Sequence, residues 1–262
     1  MKTKNRISLL IMLLAAAGFL VQSCKKDNKE AYPPSVVSGA ITYNGQPVYM
    51  IPTSNDLNST NNTQHIFQLV QTAPQPLSGG FIKVFAKNDG TYSINTFDGD
   101  YIISTGVAKK NPFLDVTPVQ FTLKGNIKID FAVTPYFWVS NYQTTYVDSV
   151  FTATFKLDRI VPTIKNSQGV DVVTPLENVK VYFNTTRLAD ISGKIFERTF
   201  TTPAQGVNVN GNCTIKVDLK GSGMSAAERN AMKATTGLLW ANVAVKTSTI
   251  ADALYQQAVL LK

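Results

Sequence analysis

The feature of the sequence that most limits its fold is a strict alternation of apolar and polar residues. The segments VQFTLKG (119–125), IKIDFAV (127–133), FTATFKL (151–157) and CTIKVDLK (213–220) each place an apolar side chain at every second position. Successive side chains of a β-strand point to opposite faces, so this period is typical of strands that bury one face. We therefore predict an all-β protein built from antiparallel sheets.

Turn signals separate these segments at short intervals. Asn44-Gly45, Asp89-Gly90 and Asp98-Gly99 each stand between two candidate strands, and such pairs favour tight β-turns. Residues 53–64 (TSNDLNSTNNTQ) have no apolar period and predict a long surface loop. Short strands at this spacing predict a β-sandwich.

One segment has helical rather than strand character. Ser225 is placed as an N-cap with Glu228 three residues later, which is a capping-box pattern, and alanines follow. Pro135 interrupts the strand pattern after one complete set of strands, and a second set begins downstream. We therefore predict two antiparallel β-sandwich domains, residues 36–134 and 135–262, with one short helix in the second.

The first 23 residues have the three parts of an export signal. Three basic residues supply a positive start, an almost purely apolar run of 15 residues covers 7–21, and the small residue Ser23 closes the segment. A transmembrane helix needs about 20 apolar residues, so this run is short for a membrane-spanning anchor. Residues 1–23 are therefore predicted to be a signal peptide.

The cysteine that follows makes this a lipoprotein signal peptide. VQSC (21–24) is similar to the bacterial lipobox, in which the cysteine is lipidated and becomes the first mature residue. Several acyl chains on Cys24 would anchor the chain to a membrane durably, because each buried CH₂ contributes about 0.8 kcal/mol. The alternative is an incidental cysteine in a plain secretion signal. Residues 24–35, charged and then proline-stiffened, suit a lipidated tether.

The cysteine and charge content bear on disulfide bonds and on possible nucleic-acid partners. With Cys24 committed to lipid, Cys213 has no partner for a disulfide, and its inward phase in a strand predicts a buried thiol. The formal net charge is +8, but lysines and arginines are interleaved with acids rather than clustered. We therefore expect no nucleic-acid partner.

Two segments resemble a known family. SGAITYNGQPV (38–48) and KNDGTYSINTFDGDYIIST (87–105) resemble the carboxypeptidase-regulatory-like, transthyretin-type fold, with its glycine-led first strand, G-x-P-V step and DG-x-Y-x-I hairpin. With the lipobox and the TPYFWV opening of a second β-domain (134–139), they resemble Bacteroidetes lipoproteins of domain of unknown function 3823.

This resemblance implies a location, two domain types and a set of partners. It implies an outer-membrane lipoprotein with a transthyretin-like domain at 36–134 and an immunoglobulin- or fibronectin-III-like domain at 135–262. Such proteins are usually encoded beside starch-utilisation-type importers, which implies a polysaccharide or oligosaccharide ligand and an importer complex as partners. No catalytic residues are known for the family, so the resemblance assigns none.

The residues themselves argue against an enzyme. His65 is the only histidine, which excludes His-based triads and multi-histidine zinc centres. Glycoside hydrolysis needs two carboxylates facing one sugar, and the scarce glutamates fall in the tether, at the helix cap and on polar segments. Asp98 and Asp100 flank Gly99 in a predicted hairpin, where turn chemistry accounts for both. We predict no catalytic residues, no metal site and no cofactor.

The strongest lead to a ligand is the aromatic segment PYFWVSNYQTTY (135–146). Tyr136, Trp138 and Tyr142 lie near amides and hydroxyls, and flat rings beside such groups suit the C–H faces and hydroxyl rims of sugars. These three are the candidate glycan-binding residues. The alternative is that the cluster packs into the core or between the domains, as aromatic stripes in strands commonly do.

The resulting hypothesis is a non-catalytic outer-membrane lipoprotein that binds glycan as an accessory component of a polysaccharide uptake system. The alternative is a structural or docking protein that associates with a surface importer without binding glycan, through exposed strand edges or the loop at 53–64.

The segment Asp148-Ser149-Val150 also resembles the O-glycosylation acceptor of exported Bacteroidetes proteins.

Overall fold

The computed structural model describes residues 32–51, 65–76, 79–106, 110–220, 223–233 and 237–262. The predicted signal peptide, Cys24 and the predicted surface loop at 53–64 lie outside these residues. Within the described ranges, no helix is long and apolar enough to cross a membrane.

The N-terminal half is a sandwich of two sheets whose strands follow the predicted alternation. Its strands are β1 (Ser35–Tyr43), β2 (Gln46–Pro47), β3 (Phe67–Ala73), β4 (Ile82–Val84), β5 (Thr91–Thr96), β6 (Gly99–Thr105), β7 (Val119–Leu123), β8 (Asn126–Lys128) and β9 (Phe131–Ala132). One sheet has the order β2-β1-β5, with β8 and β9 also paired to β1, and the other has the order β4-β3-β6-β7. Inward residues such as Val37, Ile41 and Phe67 are fully buried in what we call the first core.

Strand β1 departs from the antiparallel pairing that the sequence predicts. It runs parallel to β8, which it meets through residues 36–38, and parallel to β9, which it meets through Ile41 and Thr42. The reason is that the chain crosses from the second sheet to the first after β7, at Gly125, where φ is 69°. The other ladders among the described strands are antiparallel, and the all-β sandwich class is confirmed.

One predicted turn forms a hairpin and another does not. Asn44-Gly45 joins β1 to β2 with φ values of 49° and 75°, as a type I′ turn requires. Asp98-Gly99 does not form the predicted hairpin, because β5 and β6 belong to different sheets. The Asp98 carboxylate accepts hydrogen bonds from Ser35 Oγ and, at 3.0 Å, from Gly125 N. At this turn the chain passes from one sheet to the other, and the Asp98 side chain links the beginning of β1 to the connection between β7 and β8.

The C-terminal half is a second sandwich. Its strands are β10 (Phe137–Val147), β11 (Val150–Arg159), β12 (Thr163–Lys165), β13 (Asp171–Val173), β14 (Leu176–Asn184), β15 (Phe196–Phe200), β16 (Gly211–Asp218), β17 (Trp240–Thr247), β18 (Leu254–Tyr255) and β19 (Val259–Leu260). One sheet has the order β10-β11-β16, the other has the order β15-β14-β17-β18 with β19 also paired to β17, and β12 and β13 form a separate hairpin. Phe151 of the first sheet meets Phe183 of the second, with ring centroids 5.7 Å apart, in what we call the second core.

The predicted helix is present as α1 (Ala226–Lys233), between β16 and β17. Its capping box forms as expected, because Glu228 N donates to Ser225 Oγ at 3.2 Å and Ser225 N donates to Glu228 Oε2 at 2.7 Å. Arg198 Nη1 also donates to Glu228 at 2.8 Å, and this partner lowers the pKa of Glu228 to about 2. The helix joins strands of two different sheets, and a short 3₁₀ turn (Pro203–Gln205) precedes β16.

The thiol of Cys213 is buried, as its phase in the strand predicts. Its residue is 1% exposed on β16 and contributes to the second core. Asn208 N donates to its Sγ at 3.2 Å, and burial raises the pKa of the thiol. Its role is that of a small buried hydrophobe.

The two sandwiches meet along a seam. Tyr49 and Tyr255 form an isolated antiparallel bridge, in which Tyr255 N donates to Tyr49 O at 3.0 Å. A buried ion pair joins Lys110 Nζ to Asp252 Oδ2 at 2.5 Å, with side chains 3% and 11% exposed. Burial raises the pKa of Asp252, and the charge of Lys110 opposes that rise. Residues 35–262 accordingly form one compact unit.

The seam has a small apolar cluster of its own. The members of this seam cluster are Ile51, Tyr182, Ala189, Ala244 and Tyr255. Tyr182 and Ala244 lie on the face of β14 and β17 that points away from the second core, and Ile51 of the first half covers them. At these two positions the outer face of the sheet is therefore buried as well. Val133 is buried in the first core and Tyr136 in the second, and the division into two domains at residues 134 and 135 stays a prediction.

Candidate functional site

A groove runs along the seam and consists of three pockets that share Tyr255. The tryptophan pocket, of about 270 Å³, is lined by Gln46, Tyr49, Trp138, Ser140, Asn141 and Gln256 among others. The Asn242 pocket, of about 260 Å³, is lined by Tyr49, Lys87, Asn88, Arg187, Asn242 and Gln256 among others. The Asn178 pocket, of about 210 Å³, is lined by Asn178, Lys180, Tyr182, Lys246 and Asp252 among others. The first two pockets adjoin each other directly, because they also share Tyr49 and Gln256, and the three pockets together are called the seam groove.

Trp138 is held in the tryptophan pocket by the first core. Its neighbours in β10, Phe137 and Val139, point into the second core, so the Trp138 side chain points the other way. Its ring packs edge-on against Tyr43, with centroids 5.0 Å apart and planes at 60°, and remains partly exposed. Tyr49 is likewise partly exposed. The pocket thus presents two aromatic side chains carried by rigid strands and by the bridge at the seam.

Neutral polar groups surround these two rings. Gln46 and Asn141 are exposed, and Ser140 and Gln256 are partly exposed. None of the described residues that line this pocket is charged. Amide and hydroxyl groups can both donate and accept hydrogen bonds, as sugar hydroxyls do, while the rings offer flat apolar surface. This combination is suited to a neutral sugar ring.

The three candidate residues named from the sequence do not form one exposed platform. Tyr136 is 6% exposed and lies in the second core, where burial raises the pKa of its hydroxyl. Tyr142 packs against the same core with its ring 6.5 Å from that of Phe155, and its hydroxyl is buried. Only Trp138 lines the seam groove. Part of the aromatic segment is therefore core, and part is pocket wall.

A β-bulge explains why Tyr142 and Trp138 point to opposite faces of the strand. The ladder between β10 and β11 shifts register between Ser140 and Gln143, and Asn141 has a φ of 54°. The extra residue reverses the phase of the strand, so that Tyr142 turns toward the second core while Asn141 lines the tryptophan pocket. Strict alternation along 135–146 could not reveal this reversal.

Three residues of the groove, Tyr49, Asn242 and Gln256, are not predicted by the sequence patterns. Tyr49 and Gln256 stand next to strands that carry no unusual pattern, and they meet only because the two sandwiches pack together. Asn242 did leave a signal, because it is a lone amide within the apolar run LLWANVAV. A buried polar residue in such a run commonly has a partner or a function.

Each carboxylate that lines the groove accepts a hydrogen bond or is paired with a cation; that of Glu177 accepts one from Asn178 Nδ2 at 3.1 Å. Asp190 Oδ1 accepts hydrogen bonds from Ser192 N and Gly193 N, both at 2.8 Å. Asp89 Oδ1 accepts one from Thr91 Oγ1 at 2.7 Å, which lowers the pKa of Asp89. Asp252 is paired with Lys110.

Histidine and metal ligands do not gather in the described part of the chain. His65 is 3% exposed, and its ring lies 5.3 Å from that of Phe81, at the edge of the first core. Its Nε2 is 3.1 Å from Gln68 Nε2. No group of three or more His, Cys, Asp or Glu residues placed to hold a metal ion occurs among the described residues.

Comparison with known proteins identifies the family that the first half resembles. Residues 35–134 match the model of the N-terminal domain of a protein family of unknown function, DUF3823. A DUF3823 family protein from Parabacteroides merdae ATCC 43184 is 27% identical with a TM-score of 0.67, over 87% of this chain and 98% of that one. Another from Bacteroides ovatus ATCC 8483 is 25% identical with a TM-score of 0.64, over the same shares. The resemblance of residues 35–134 to the DUF3823 family is confirmed.

A third solved structure shows the same fold at lower identity. It is a "putative carbohydrate binding protein" from Bacteroides uniformis ATCC 8492, with a TM-score of 0.61 over 88% of this chain and 99% of that one. Its sequence is 17% identical, so the likeness concerns the fold alone. No curated protein is significantly similar in sequence to this chain.

Proposed function

We propose that this DUF3823-related chain is a non-catalytic, lipid-anchored glycan-binding protein and that the tryptophan pocket is its binding site. The observation that carries the proposal is the pairing of two partly exposed aromatic residues, Trp138 and Tyr49, with neutral amides in a groove between two rigid cores. Binding sites for small ligands combine apolar walls with a few polar groups in this way.

Two further observations support a binding role without catalysis. The fold is shared with the carbohydrate-binding candidate from Bacteroides uniformis, which makes a glycan ligand a natural one to test first. The four carboxylates that line the groove, Asp89, Glu177, Asp190 and Asp252, each accept a hydrogen bond or form an ion pair with another residue of the chain. Glycoside hydrolysis would require two carboxyl groups facing one sugar.

Trp138→Ala is expected to weaken glycan binding by at least about tenfold, because a central aromatic side chain commonly supplies a dominant share of the binding energy. The measurement is affinity electrophoresis, followed by calorimetry, of residues 31–262 against plant, microbial and host glycans. Gln256→Ala should weaken binding about threefold to tenfold, since it removes one amide at the rim.

Trp240→Ala is the matched control for this test. Trp240 is the other tryptophan; it packs on the seam cluster but lines none of the three pockets of the groove. Its loss should leave glycan affinity unchanged in protein that still shows a cooperative thermal transition. If well-folded wild-type protein binds no glycan, or if Trp138→Ala binds as wild type does, the proposal fails. The docking role on a surface importer would then be favoured.

Membrane attachment through Cys24 is part of the proposal and has its own test. Lipidation of this residue would place the chain on the outer membrane, where a glycan-binding accessory of an uptake system would act. Cells expressing the full chain should incorporate a fatty-acid label into it, and Cys24→Ser should abolish the label and release the protein from the membrane fraction. Equal labelling of the two forms would contradict the anchor.

A further inference from the structure

The side-chain oxygen of Asn242 has no hydrogen-bond partner among the residues that the structure describes. The residue lies on β17, opposite Tyr182 of β14, and is 7% exposed. Its Oδ1 is buried and accepts no hydrogen bond from the described residues, and the side chain lines the Asn242 pocket. Buried polar atoms in folded proteins are nearly always paired, so an unpaired acceptor at a pocket needs an explanation.

The side chain of Asn242 points away from the second core. Its neighbours in the strand, Ala241 and Val243, point into the second core, while Asn242 and Ala244 point toward the seam. Ala244 is covered there by the seam cluster, and a leucine at position 242 would serve folding better than an asparagine whose side-chain oxygen is buried without a donor among the described residues. The oxygen is therefore better explained by a ligand that donates to it than by packing.

The groups around the pocket indicate what that ligand is. Lys87 and Asn88 lie exposed on the turn between β4 and β5, and Arg187 lies exposed on the segment between β14 and β15. These side chains can donate hydrogen bonds, whereas Asn242 Oδ1 can accept one, as can the carboxylates of Asp89 and Asp190 that also line the pocket. A saccharide offers both complements, because its hydroxyl groups donate and its ring and hydroxyl oxygens accept.

The Asn242 pocket adjoins the tryptophan pocket. Tyr49, Tyr255 and Gln256 line both, so a ligand lying on Trp138 has a continuous path to Asn242. We propose that the Asn242 pocket is a second sugar subsite of the seam groove, in which a ligand hydroxyl donates to Asn242 Oδ1, and that the groove therefore takes an oligosaccharide rather than a single sugar. This inference rests on the proposed function of the tryptophan pocket. It goes further by stating that the ligand is long enough to occupy both pockets.

The test compares ligand lengths in two matched variants. Calorimetry would measure the Kd of residues 31–262 for the disaccharides and hexasaccharides of the malto-, cello-, xylo- and manno- series. Wild-type protein should bind one hexasaccharide at least about tenfold more tightly than the matching disaccharide. Asn242→Leu should reduce this advantage to about threefold or less while leaving disaccharide affinity unchanged.

Asn178→Leu is the control. Asn178 Oδ1 is also buried without a partner among the described residues, but it lines the pocket that does not share Tyr49 or Gln256 with the tryptophan pocket. This variant should keep the full length preference. Arg187→Ala changes an exposed side chain, so it should fold normally, and it should lower hexasaccharide affinity alone. It keeps the test valid if Asn242→Leu misfolds.

The outcomes separate the two proposals. If Asn242→Leu and Arg187→Ala keep the wild-type length preference, the second subsite is overturned, while the loss of binding in Trp138→Ala still supports the first. If folded wild-type protein binds hexasaccharides no more tightly than disaccharides, the second subsite is likewise overturned. If it binds none of these sugars and no other glycan, both proposals are overturned.

Discussion

Lys110→Met is expected to lower the free energy of unfolding by about 3–5 kcal/mol, the cost typical of breaking a buried ion pair by removing one partner. Lys110 and Asp252 are 3% and 11% exposed, and the Lys110 backbone carbonyl also accepts a hydrogen bond from Asp252 N at 2.8 Å. The substitution keeps most of the apolar stem but leaves the Asp252 carboxylate buried without its cation. Urea denaturation followed by far-ultraviolet circular dichroism measures the change.

Lys165→Met is the matched control for this prediction. Lys165 pairs with Asp171 at 3.1 Å, but both side chains are largely exposed, at 67% and 64%. Removal of this cation should change the free energy of unfolding by less than about 1 kcal/mol. Replacing both buried partners together, as Lys110→Met with Asp252→Leu, should recover part of the loss. Similar, small effects of the two lysine variants would contradict the buried pair as a main contact of the seam.

Gly39→Ala is expected to cost about 3 kcal/mol or more, since there is no room for a side chain. A Cβ at this position would lie 1.8 Å from the carbonyl oxygen of Ile129 and 2.8 Å from the hydroxyl oxygen of Tyr92. That same carbonyl accepts a hydrogen bond from the Tyr92 hydroxyl at 2.5 Å. The backbone between β8 and β9 would have to move away from β1, which would break the parallel pairing on both sides.

The control for Gly39 is a glycine in open space. A Cβ at Gly79 would meet no atom within 4 Å, so Gly79→Ala should change the free energy of unfolding by less than about 0.5 kcal/mol. Chemical denaturation of both variants gives the comparison. If the Gly39→Ala protein is as stable as wild type, the close approach of the Gly39 and Ile129 backbones is contradicted.

Much of the fold could be predicted because most strands bury only one face. The alternation along β11 and β16 places Phe155 and Cys213 in the second core as expected. It does not report that Tyr182 of β14 and Ala244 of β17, which point away from the second core, are also buried, because Ile51 and Tyr255 pack against them at the seam. Burial by another part of the chain is a tertiary effect that local periodicity cannot report.

The candidate site was harder to predict than the fold. Trp138 could be named because it stands in a dense aromatic segment, but its partners Tyr49 and Gln256 are distant in the chain and meet it only across the seam. Tyr142 was misplaced because a bulge of one residue reverses the direction of every side chain after it. The parts that escaped prediction are therefore those set by packing between the sandwiches and by an irregular strand.

The central proposal is that the seam groove binds a glycan, and a crystal structure of residues 31–262 with the tightest-binding hexasaccharide tests it most directly. The expected result is a sugar ring against Trp138 and Tyr49, with the chain continuing over Gln256 and one hydroxyl within about 3 Å of Asn242 Oδ1. A saccharide bound away from the seam, with the groove filled only by water, would contradict the proposal.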